Sequence, residues 1–304
     1  MEGMEIEMNR YMRAIGFSNC RKRAELNKIY EAACSQPDAY HVFADGEQDA
    51  VFEMSKAYGD GIGLIWTGIL DGKDALCEHC FPYVESTEFM VKDSVNVEER
   101  VDGNVYTGAL EDLRSGVYII LFLQNGIDYR ELTSQEDHFL SETVLVALSG
   151  LSLQGTILLP MAATEQEVQR KEREQKKRIK LLAAAKQGDE KAMESLAYQD
   201  MTMYTKVSKR IRTEDVFSIV ESCFMPYGIE CDLYSVVADI LEVHEVTNGY
   251  TGEKIWKLKV CYNGIKMDIC INDMDLMGEP KAGRRFKANI WLQGNLKMPK
   301  VSVD

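Results

Sequence analysis

The string Cys77-Glu78-His79-Cys80 brings two thiols and an imidazole together in a short stretch of the chain. Two thiolates at this spacing can reach one zinc ion or each other, so Cys77, His79 and Cys80 are candidates for a metal or redox site. A closed zinc site needs four ligands, and the sequence has no second Cys-x-x-Cys pair. The pattern therefore predicts either a metal or redox site or a strand end with incidental cysteines.

Two further strings look like ligand loops but lack residues that the chemistry requires. The glycines of segment 59–63 do not have the G-x-G-x-x-G spacing of a dinucleotide loop, and an apolar segment follows them where a helix would be needed. A calcium loop beginning at Asp273 would place Met277 and Arg284 at two ligand positions, so we predict a turn there. No nucleophile elbow, phosphate loop or zinc-protease motif is present.

A third group of residues could contact a polyanion. Segment 170–180 is almost entirely charged and predicts a solvated basic helix. Its basic residues include Arg170, Lys171, Arg173, Lys176, Lys177 and Arg178. Nucleic-acid binding through this helix is one interpretation, and docking of the helix on an acidic surface of the same chain is another.

The charges of the chain are distributed unevenly. Of the net charge of -14, residues 1–160 account for -15, with 12 Lys and Arg against 27 Asp and Glu, whereas the remaining residues are almost balanced. An acidic first half repels phosphate backbones and anionic lipid headgroups. We therefore expect neither nucleic acid nor a membrane to bind this half.

Two tryptophans and two arginines near the end of the chain could form an aromatic and basic binding surface. They are Trp256, Arg284, Arg285 and Trp291. Trp291 is out of phase with the alternating apolar residues of segment 286–292, so in a regular strand its side chain faces away from the core. A covering element or a contact with another copy of the chain is the alternative interpretation.

The composition predicts an ordinary globular protein of the cytoplasm. Eight cysteines among 304 residues are too few for a disulfide scaffold, and residues 1–7 lack the features of a signal peptide. The longest apolar run, Val117–Leu123, is far shorter than the roughly 18 residues of a membrane span. We therefore expect no membrane association and, as partners, proteins rather than nucleic acid.

The spacing of apolar and turn-forming residues predicts an α+β fold. Segment 9–34 is expected to form a helix that covers one face of a sheet, and Asp-Gly pairs at 45–46, 71–72 and 102–103 predict a meander of antiparallel strands. Val117–Leu123 is the expected central strand, followed by a turn at Asn125-Gly126. Segment 141–159 is also interpreted as strand.

The second half is predicted to contain a helical segment and a small sheet. A connector over 164–187 is followed by short helices up to Leu196 and over 201–211, and by another helix from Glu214. Segment 256–271, with a turn at Asn263-Gly264, reads as a hairpin of a small antiparallel sheet or a partly open barrel of the oligonucleotide/oligosaccharide-binding (OB) type. The expected domains are an acidic α+β domain (1–160), a charged helical connector (161–190), and a helical hairpin with a small β domain (191–304).

Several strings across the chain resemble those of a known family. They are RYMRAIGFS at 10–18, EDVFSIV at 214–220, FMPYGIECD at 224–232, GEP at 278–280, GRRF at 283–286 and IWLQG at 290–294. The sequence resembles a domain-of-unknown-function family from anaerobic gut Firmicutes. The resemblance implies a bacterial cytosolic protein and transfers no activity.

The function favoured by the sequence is that of a non-enzymatic cytosolic binding or adaptor protein with no indicated cofactor. The reason is that no complete catalytic constellation is present. Two alternatives stay open: an enzyme with a metal or redox site near Cys77 and Cys80, and a nucleic-acid-associated protein that uses the basic helix.

Overall fold

The structure is a computed structural model of the chain that describes most of its residues. The described ranges are 9–20, 22–44, 50–71, 74–92, 95–101, 103–112, 117–134, 144–160, 165–210 and 222–297. In these ranges strands predominate and four α-helices accompany them, so the α+β class predicted from the sequence is confirmed. In the described part of the chain, every helix is too short or too polar to cross a membrane.

The first sheet is the antiparallel meander that the sequence predicted. Its strands, in spatial and chain order, are β1 (Ala39–Phe43), β2 (Ala50–Gly59), β3 (Ile62–Asp71) and β4 (Asp74–Val84). Each Asp-Gly pair lies wholly or partly outside the described residues, but the strands on either side of each pair are antiparallel partners. The chain therefore reverses its direction between the strands where the sequence indicated it.

The predicted N-terminal helix is in fact two elements. A 3-10 helix (Arg10–Ile15) ends at Gly16, whose φ of 95° lies in the left-handed region, and helix α1 (Arg23–Ser35) follows. Leu26, Ile29 and Ala33 lie on one face of α1 and are buried. Helix α1 therefore covers the first sheet as expected, while the 3-10 helix packs between β4 and the larger sheet.

The second sheet is larger and mixed. Its strands are β5 (Phe89–Lys92), β6 (Asn96–Glu99), β7 (Tyr106–Asp112), β8 (Val117–Leu123), β9 (Val144–Leu158), β10 (Cys223–Pro226), β11 (Leu233–Thr247), β12 (Lys254–Tyr262), β13 (Ile265–Asn272), β14 (Leu276–Met277) and β15 (Arg285–Lys297). The spatial order is β10-β11-β12-β13-β9-β15-β8-β7-β6, with β5 and β14 paired to β9. The strand assignments over Val117–Leu123 and Val144–Leu158 are therefore confirmed. Strand β8 is not the expected central strand, because it is third from the β6 edge of this order.

Five of these strands close into a ring. Strand β11 bends at a bulge between Ile240 and Glu242, so its first part pairs with β15 and its second part with β12. The ring continues from β12 to β13, from β13 in parallel to β9, and from β9 to β15. The predicted β12–β13 hairpin is confirmed, and its turn residues Asn263 and Gly264 both have positive φ, as a type I′ turn requires.

The large sheet contains strands from both ends of the chain. Strands β8 and β9 precede the predicted connector, and both pair with β15, which follows it. A single sheet thus extends across the predicted boundaries at 160 and 190. Pairing of these strands buries Leu121, Leu148 and Leu292 in a common core.

The helices differ from the prediction in two places. Asn125-Gly126 does not form a turn between strands, because helix α2 (Gly126–Ser134) begins there. The sequence placed a helical hairpin within 191–211, but α4 (Glu190–Arg210) is one helix where two were predicted. It forms a hairpin instead with α3 (Glu165–Lys186), the helix of the predicted connector. Asp189 accepts hydrogen bonds from two backbone N–H groups at the start of α4 and caps it. The helix predicted from Glu214 lies outside the described residues.

Candidate functional site

A cleft of about 820 Å³ opens where the first sheet, the 3-10 helix and the large sheet meet. Its lining includes Arg10, Tyr11, Glu78, His79, Cys80, Phe81, Arg100, Phe122, Glu230, Asp232 and Trp291. We call it the Trp291 cleft. Its volume lies within the range of small-molecule binding sites in proteins.

Aromatic rings form one continuous wall of the Trp291 cleft. The ring of Trp291 lies 5.2 Å from that of Tyr11 and 4.9 Å from that of Phe122, measured between centroids. Phe122 in turn meets Phe81 of β4 edge to face at 4.7 Å. These rings come from four elements, and their contacts join the two sheets. Each ring is at most 8% exposed, so only a small part of each one faces the cleft.

A buried carboxylate organises the polar side of the Trp291 cleft. The side chain of Asp232 is only 3% exposed, and its Oδ2 atom accepts hydrogen bonds from Arg100 Nη1 and from the indole Nε1 of Trp291, each at 3.0 Å. The guanidinium carbon of Arg100 lies 6.0 Å from the ring centre of Phe122. Asp232 therefore neutralises Arg100 and holds both the guanidinium and the indole in fixed orientations.

The outer part of the cleft is more exposed. Arg10 Nη2 lies 3.3 Å from Glu230 Oε2 and 3.5 Å from the hydroxyl of Tyr11. On the opposite side, the Glu78 carboxylate accepts a hydrogen bond from Asn104 Nδ2 at 2.7 Å. The exposed Arg10–Glu230 ion pair contributes little stability, so these two side chains can exchange partners with a ligand at small cost.

The cleft brings together aromatic rings, a partly exposed guanidinium, exposed charged groups and a buried carboxylate. These groups can make noncovalent contacts with a molecule that has both an apolar part and a polar part.

The predicted metal or redox residues are only partly brought together. A bulge at Glu78, where Thr67 pairs with His79 and Gly68 with Cys77, turns both Cys77 and Cys80 toward the core. Burial raises the pKa of Cys77 to about 12 and raises the pKa of Cys80 well above the ordinary value. Among the described residues, no group of three or more His, Cys, Asp or Glu side chains is placed to hold a metal ion. The metal or redox interpretation stays a prediction that this geometry does not support.

Thiol reactivity provides a direct check of this burial. We expect exposed Cys231 of the folded protein to react with iodoacetamide at pH 8 at least tenfold faster than Cys77 and Cys80, because the thiolate is the nucleophile and burial disfavours it. Peptide mapping by mass spectrometry during the reaction measures the rates, and a sample in denaturant is the control. Equal rates for Cys80 and Cys231 in the folded protein would contradict the buried position of Cys80.

The predicted aromatic and basic surface does not form one site. Trp291 faces away from the ring of strands as expected, but it is only 6% exposed because Tyr11 and Phe122 cover it. Arg285 is buried with its Nε bound to the Leu159 carbonyl. The other two residues have separate partners: Trp256 donates to Asp273, and Arg284 contacts Glu279.

The predicted basic segment lies on α3. Arg173, Lys176 and Lys177 are exposed, while Arg170 pairs with Glu174 within the helix and Arg178 pairs with Asp200 of α4 at 2.9 Å. The side chain of Lys171 lies outside the described residues. One contact with the acidic first half is present near the end of the helix, where Lys186 pairs with Glu111 of β7.

A second group of titratable side chains lies between the first sheet and α2. The His41 ring of β1 is 2.7 Å from Glu131 and 3.6 Å from Asp128, both on α2. The Glu53 carboxyl of β2 accepts a hydrogen bond from the Ile127 backbone, and burial, assisted by the charge of Asp128, raises its pKa to about 8. Burial also raises the pKa of Asp128.

The raised pKa of Glu53 predicts a loss of stability as the pH rises. The folded state retains a proton that the unfolded state releases above pH 4.5, so the free energy of unfolding falls from pH 4.5 through about 8. Glu53→Gln should reduce this slope and exceed the parent protein in stability at pH 8 by about 1 kcal/mol or more. Urea unfolding at several pH values measures the free energy of unfolding of each protein, and Glu98→Gln, at an exposed position, is the control. Identical slopes for the parent and Glu53→Gln would refute the assignment.

Sequence reasoning named some cleft residues and missed others. Trp291 was a candidate for binding and His79 for metal coordination, and both line the cleft. Arg100 and Phe122 carried no local signal. Asp232 had an indirect signal, because it lies within one of the strings that carry the family resemblance.

Comparison with known proteins places the chain in a family. A family model described as "Domain of unknown function, E. rectale Gene description (DUF3881)" matches residues 12–294. No curated protein and no solved structure shows a significant match. The match covers nearly the whole chain and agrees with the resemblance to a gut Firmicute family. The protein therefore belongs to the DUF3881 family.

Proposed function

We propose that the chain is a binding protein that holds a small ligand in the Trp291 cleft. The observation that carries the proposal is the Arg100–Asp232–Trp291 unit beside a wall of aromatic rings. Ligand sites in proteins combine apolar walls with a few oriented polar groups, and this cleft has both. We propose binding and not turnover because the sequence has no nucleophile elbow, phosphate loop or zinc-protease motif.

A screen of small metabolites by thermal shift, confirmed by calorimetry, tests the proposal. We expect at least one compound to raise the melting temperature, since a ligand that binds only the folded state stabilises it. The effect should be lost in Trp291→Phe and kept in Trp256→Phe, which changes a tryptophan outside the cleft. Absence of any compound whose binding depends on Trp291 would overturn the proposal.

We also propose that the five-strand ring is an OB-type barrel with a permuted chain order. The ring β11-β12-β13-β9-β15 has the strand order of such barrels, including a parallel pair, here between β13 and β9. The difference is that β9, which occupies the place of the last strand of such a barrel, precedes the other four strands in the chain. On the outer face of β12 and β13, where these barrels bind oligonucleotides, Asp268 and Cys270 are buried and Lys259 and Lys266 pair with Glu88. This arrangement favours the Trp291 cleft over a nucleic-acid site on the barrel.

The α3–α4 hairpin favours a second candidate function, that of a protein adaptor. Four large apolar side chains of α4 are exposed: Met193, Tyr198, Met201 and Tyr204. Their spacing along the helix places them on one broad face. Exposed apolar groups of this size are typical of protein interfaces. The exposed Arg173 and Lys176 of α3 favour an acidic amphipathic helix as the partner.

Crosslinking tests the adaptor function separately. A photoreactive amino acid at position 198 should capture one defined protein in the source cytosol, and Met201→Ser should abolish the capture. The matched control has the same photoreactive amino acid in place of Tyr118, an exposed residue of β8. Capture that is equal at both positions, or that is insensitive to Met201→Ser, would exclude the hairpin as the docking site.

A further inference from the structure

We infer that the Trp291 cleft and a second cavity beside it bind one neutral oligosaccharide, a ligand class that rests on the proposed binding function. The second cavity has a volume of about 390 Å³ and lies at the bulge in the pairing of β9 with β15. We call it the Tyr227 cavity. Arg10 and Tyr11 line both cavities, so the two meet at the start of the 3-10 helix and a single elongated ligand can contact both.

The charges that line the two cavities cancel one another. Basic side chains contribute three positive charges and acidic side chains contribute three negative charges. They are Arg10, Arg100 and Lys287 against Glu78, Glu230 and Asp232. Two ion pairs, Arg10–Glu230 and Arg100–Asp232, are already formed within this set. A charged ligand would leave a charge uncompensated, whereas an uncharged ligand keeps the balance.

Sugar hydroxyls suit the polar groups of the Trp291 cleft. In the described part of the chain, the Arg100 guanidinium donates to a carboxylate only through Nη1, and the Glu78 carboxylate accepts a hydrogen bond only through Oε2. Other N–H groups of Arg100 and the Oε1 atom of Glu78 can therefore bind a ligand. A hydroxyl both donates and accepts, so it can bind either group without bringing a charge into the cleft.

The Tyr227 cavity adds an aromatic ring that is accessible to a ligand. Tyr227 is 50% exposed, unlike the rings of the Trp291 cleft, and its backbone N–H donates to the Leu233 carbonyl. The amide side chains of Gln154 and Asn289 are exposed at the same cavity. The ring can pack against the C–H face of a sugar while the amides bind its hydroxyls.

The position of Arg10 favours a ligand of more than one sugar unit. Arg10 lines both cavities, and its exposed ion pair with Glu230 contributes little stability. Its side chain can therefore turn toward a ligand that passes from one cavity to the other. Such a ligand gains contacts in both cavities but loses its translational and rotational freedom only once. We expect a trisaccharide to bind more tightly than its monosaccharide.

Calorimetry with trisaccharides of different charge tests the ligand class on the full chain. The neutral probes are cellotriose, maltotriose and triacetylchitotriose. The charged probes are deacetylated chitotriose, which is cationic, and trigalacturonate, which is anionic. We expect at least one neutral trisaccharide to bind at least tenfold more tightly than both charged probes and than its own monosaccharide.

Variants connect this binding to the Tyr227 cavity. Tyr227→Ala should weaken the binding of the neutral trisaccharide at least fivefold, and Tyr227→Phe, which retains the ring, should keep most of the affinity. Asn289→Ala should weaken binding at least twofold through the loss of an amide. Tyr118→Ala removes an exposed tyrosine outside both cavities and is the matched control. Circular dichroism and melting temperature establish that each variant is folded.

The outcomes separate the ligand class from the binding function. Tighter binding of a charged probe, equal affinity for a trisaccharide and its monosaccharide, or affinity that is unchanged in Tyr227→Ala and Asn289→Ala would overturn the inference. If no trisaccharide binds while the metabolite screen yields a ligand dependent on Trp291, the ligand class is wrong and the binding function stands. If neither experiment yields a ligand, both are wrong.

Discussion

Replacing Trp291 by alanine is expected to lower the free energy of unfolding by about 3–5 kcal/mol, the range observed for large aromatic residues removed from protein cores. Trp291 is 6% exposed and contacts the rings of Tyr11 and Phe122, so its loss opens a cavity between the two sheets. It also removes the indole N–H from Asp232, whose charge would then be stabilised by Arg100 alone. Equilibrium unfolding in urea measures the change.

Two companion variants separate the ring from the hydrogen bond. Trp291→Phe retains an aromatic ring and loses the N–H group, so it should cost about 1–3 kcal/mol. Trp256→Ala should cost less than Trp291→Ala because Trp256 is partly exposed. A Trp291→Ala variant as stable as Trp256→Ala would mean that Trp291 does not join the sheets.

Replacing Gln293 by alanine is expected to cost about 2–5 kcal/mol, since it combines a cavity with unsatisfied buried polar groups. Gln293 of β15 is fully buried; its Nε2 donates to the Pro82 carbonyl of β4 at 2.7 Å, and its Oε1 accepts from Gln124 Nε2 at 3.0 Å. Gln124 Nε2 also lies within hydrogen-bond distance of the Val84 carbonyl of β4 and the Ser149 hydroxyl of β9, so its two N–H groups are shared among three acceptors. The variant would leave the Pro82 carbonyl without its donor at the junction of the sheets.

Gln154→Ala is the matched control for this network, because it makes the same chemical change at an exposed position of β9. We expect a change within about 0.5 kcal/mol for Gln154→Ala. Hydrogen exchange adds a second measurement: the amides of β4 should lose protection in Gln293→Ala before those of β12. A stability loss as small as that of Gln154→Ala would show that the buried amides do not hold the sheets together.

The local elements were predictable wherever periodicity and turn chemistry agreed. In the β12–β13 hairpin, Leu258 and Val260 alternate with lysines, and Asn263-Gly264 supplies the two positive φ angles of the turn. Asp189 is of a residue type that is preferred at helix N-caps, and it accepts the corresponding backbone hydrogen bonds at the start of α4. Such features depend on residues that are close together in the chain, so a single sequence contains all the information that is needed to predict them.

The errors arose where a local signal is compatible with two outcomes. Asn125-Gly126 can begin a helix as well as turn a hairpin, and contacts of α2 with the first sheet select the helix. The polar and apolar residues around Leu196 suggested two short helices, but packing of α4 along α3 makes one continuous helix. Tertiary contacts decide these cases because the intrinsic preferences differ by only fractions of a kcal/mol.

The sequence by itself determined the α+β class, the meander, the charged helical segment that forms α3, the strand phase that turns Trp291 away from the interior of the five-strand ring, and the family. Only the tertiary structure decided that strands β8 and β9 pair with β15, that Tyr11 and Phe122 cover Trp291, and that Arg100 reaches Asp232. Arg100 and Asp232 are separated by 132 positions in the chain. Their contact depends on which strands pair and in which register, and periodicity within a strand contains no information about its neighbour.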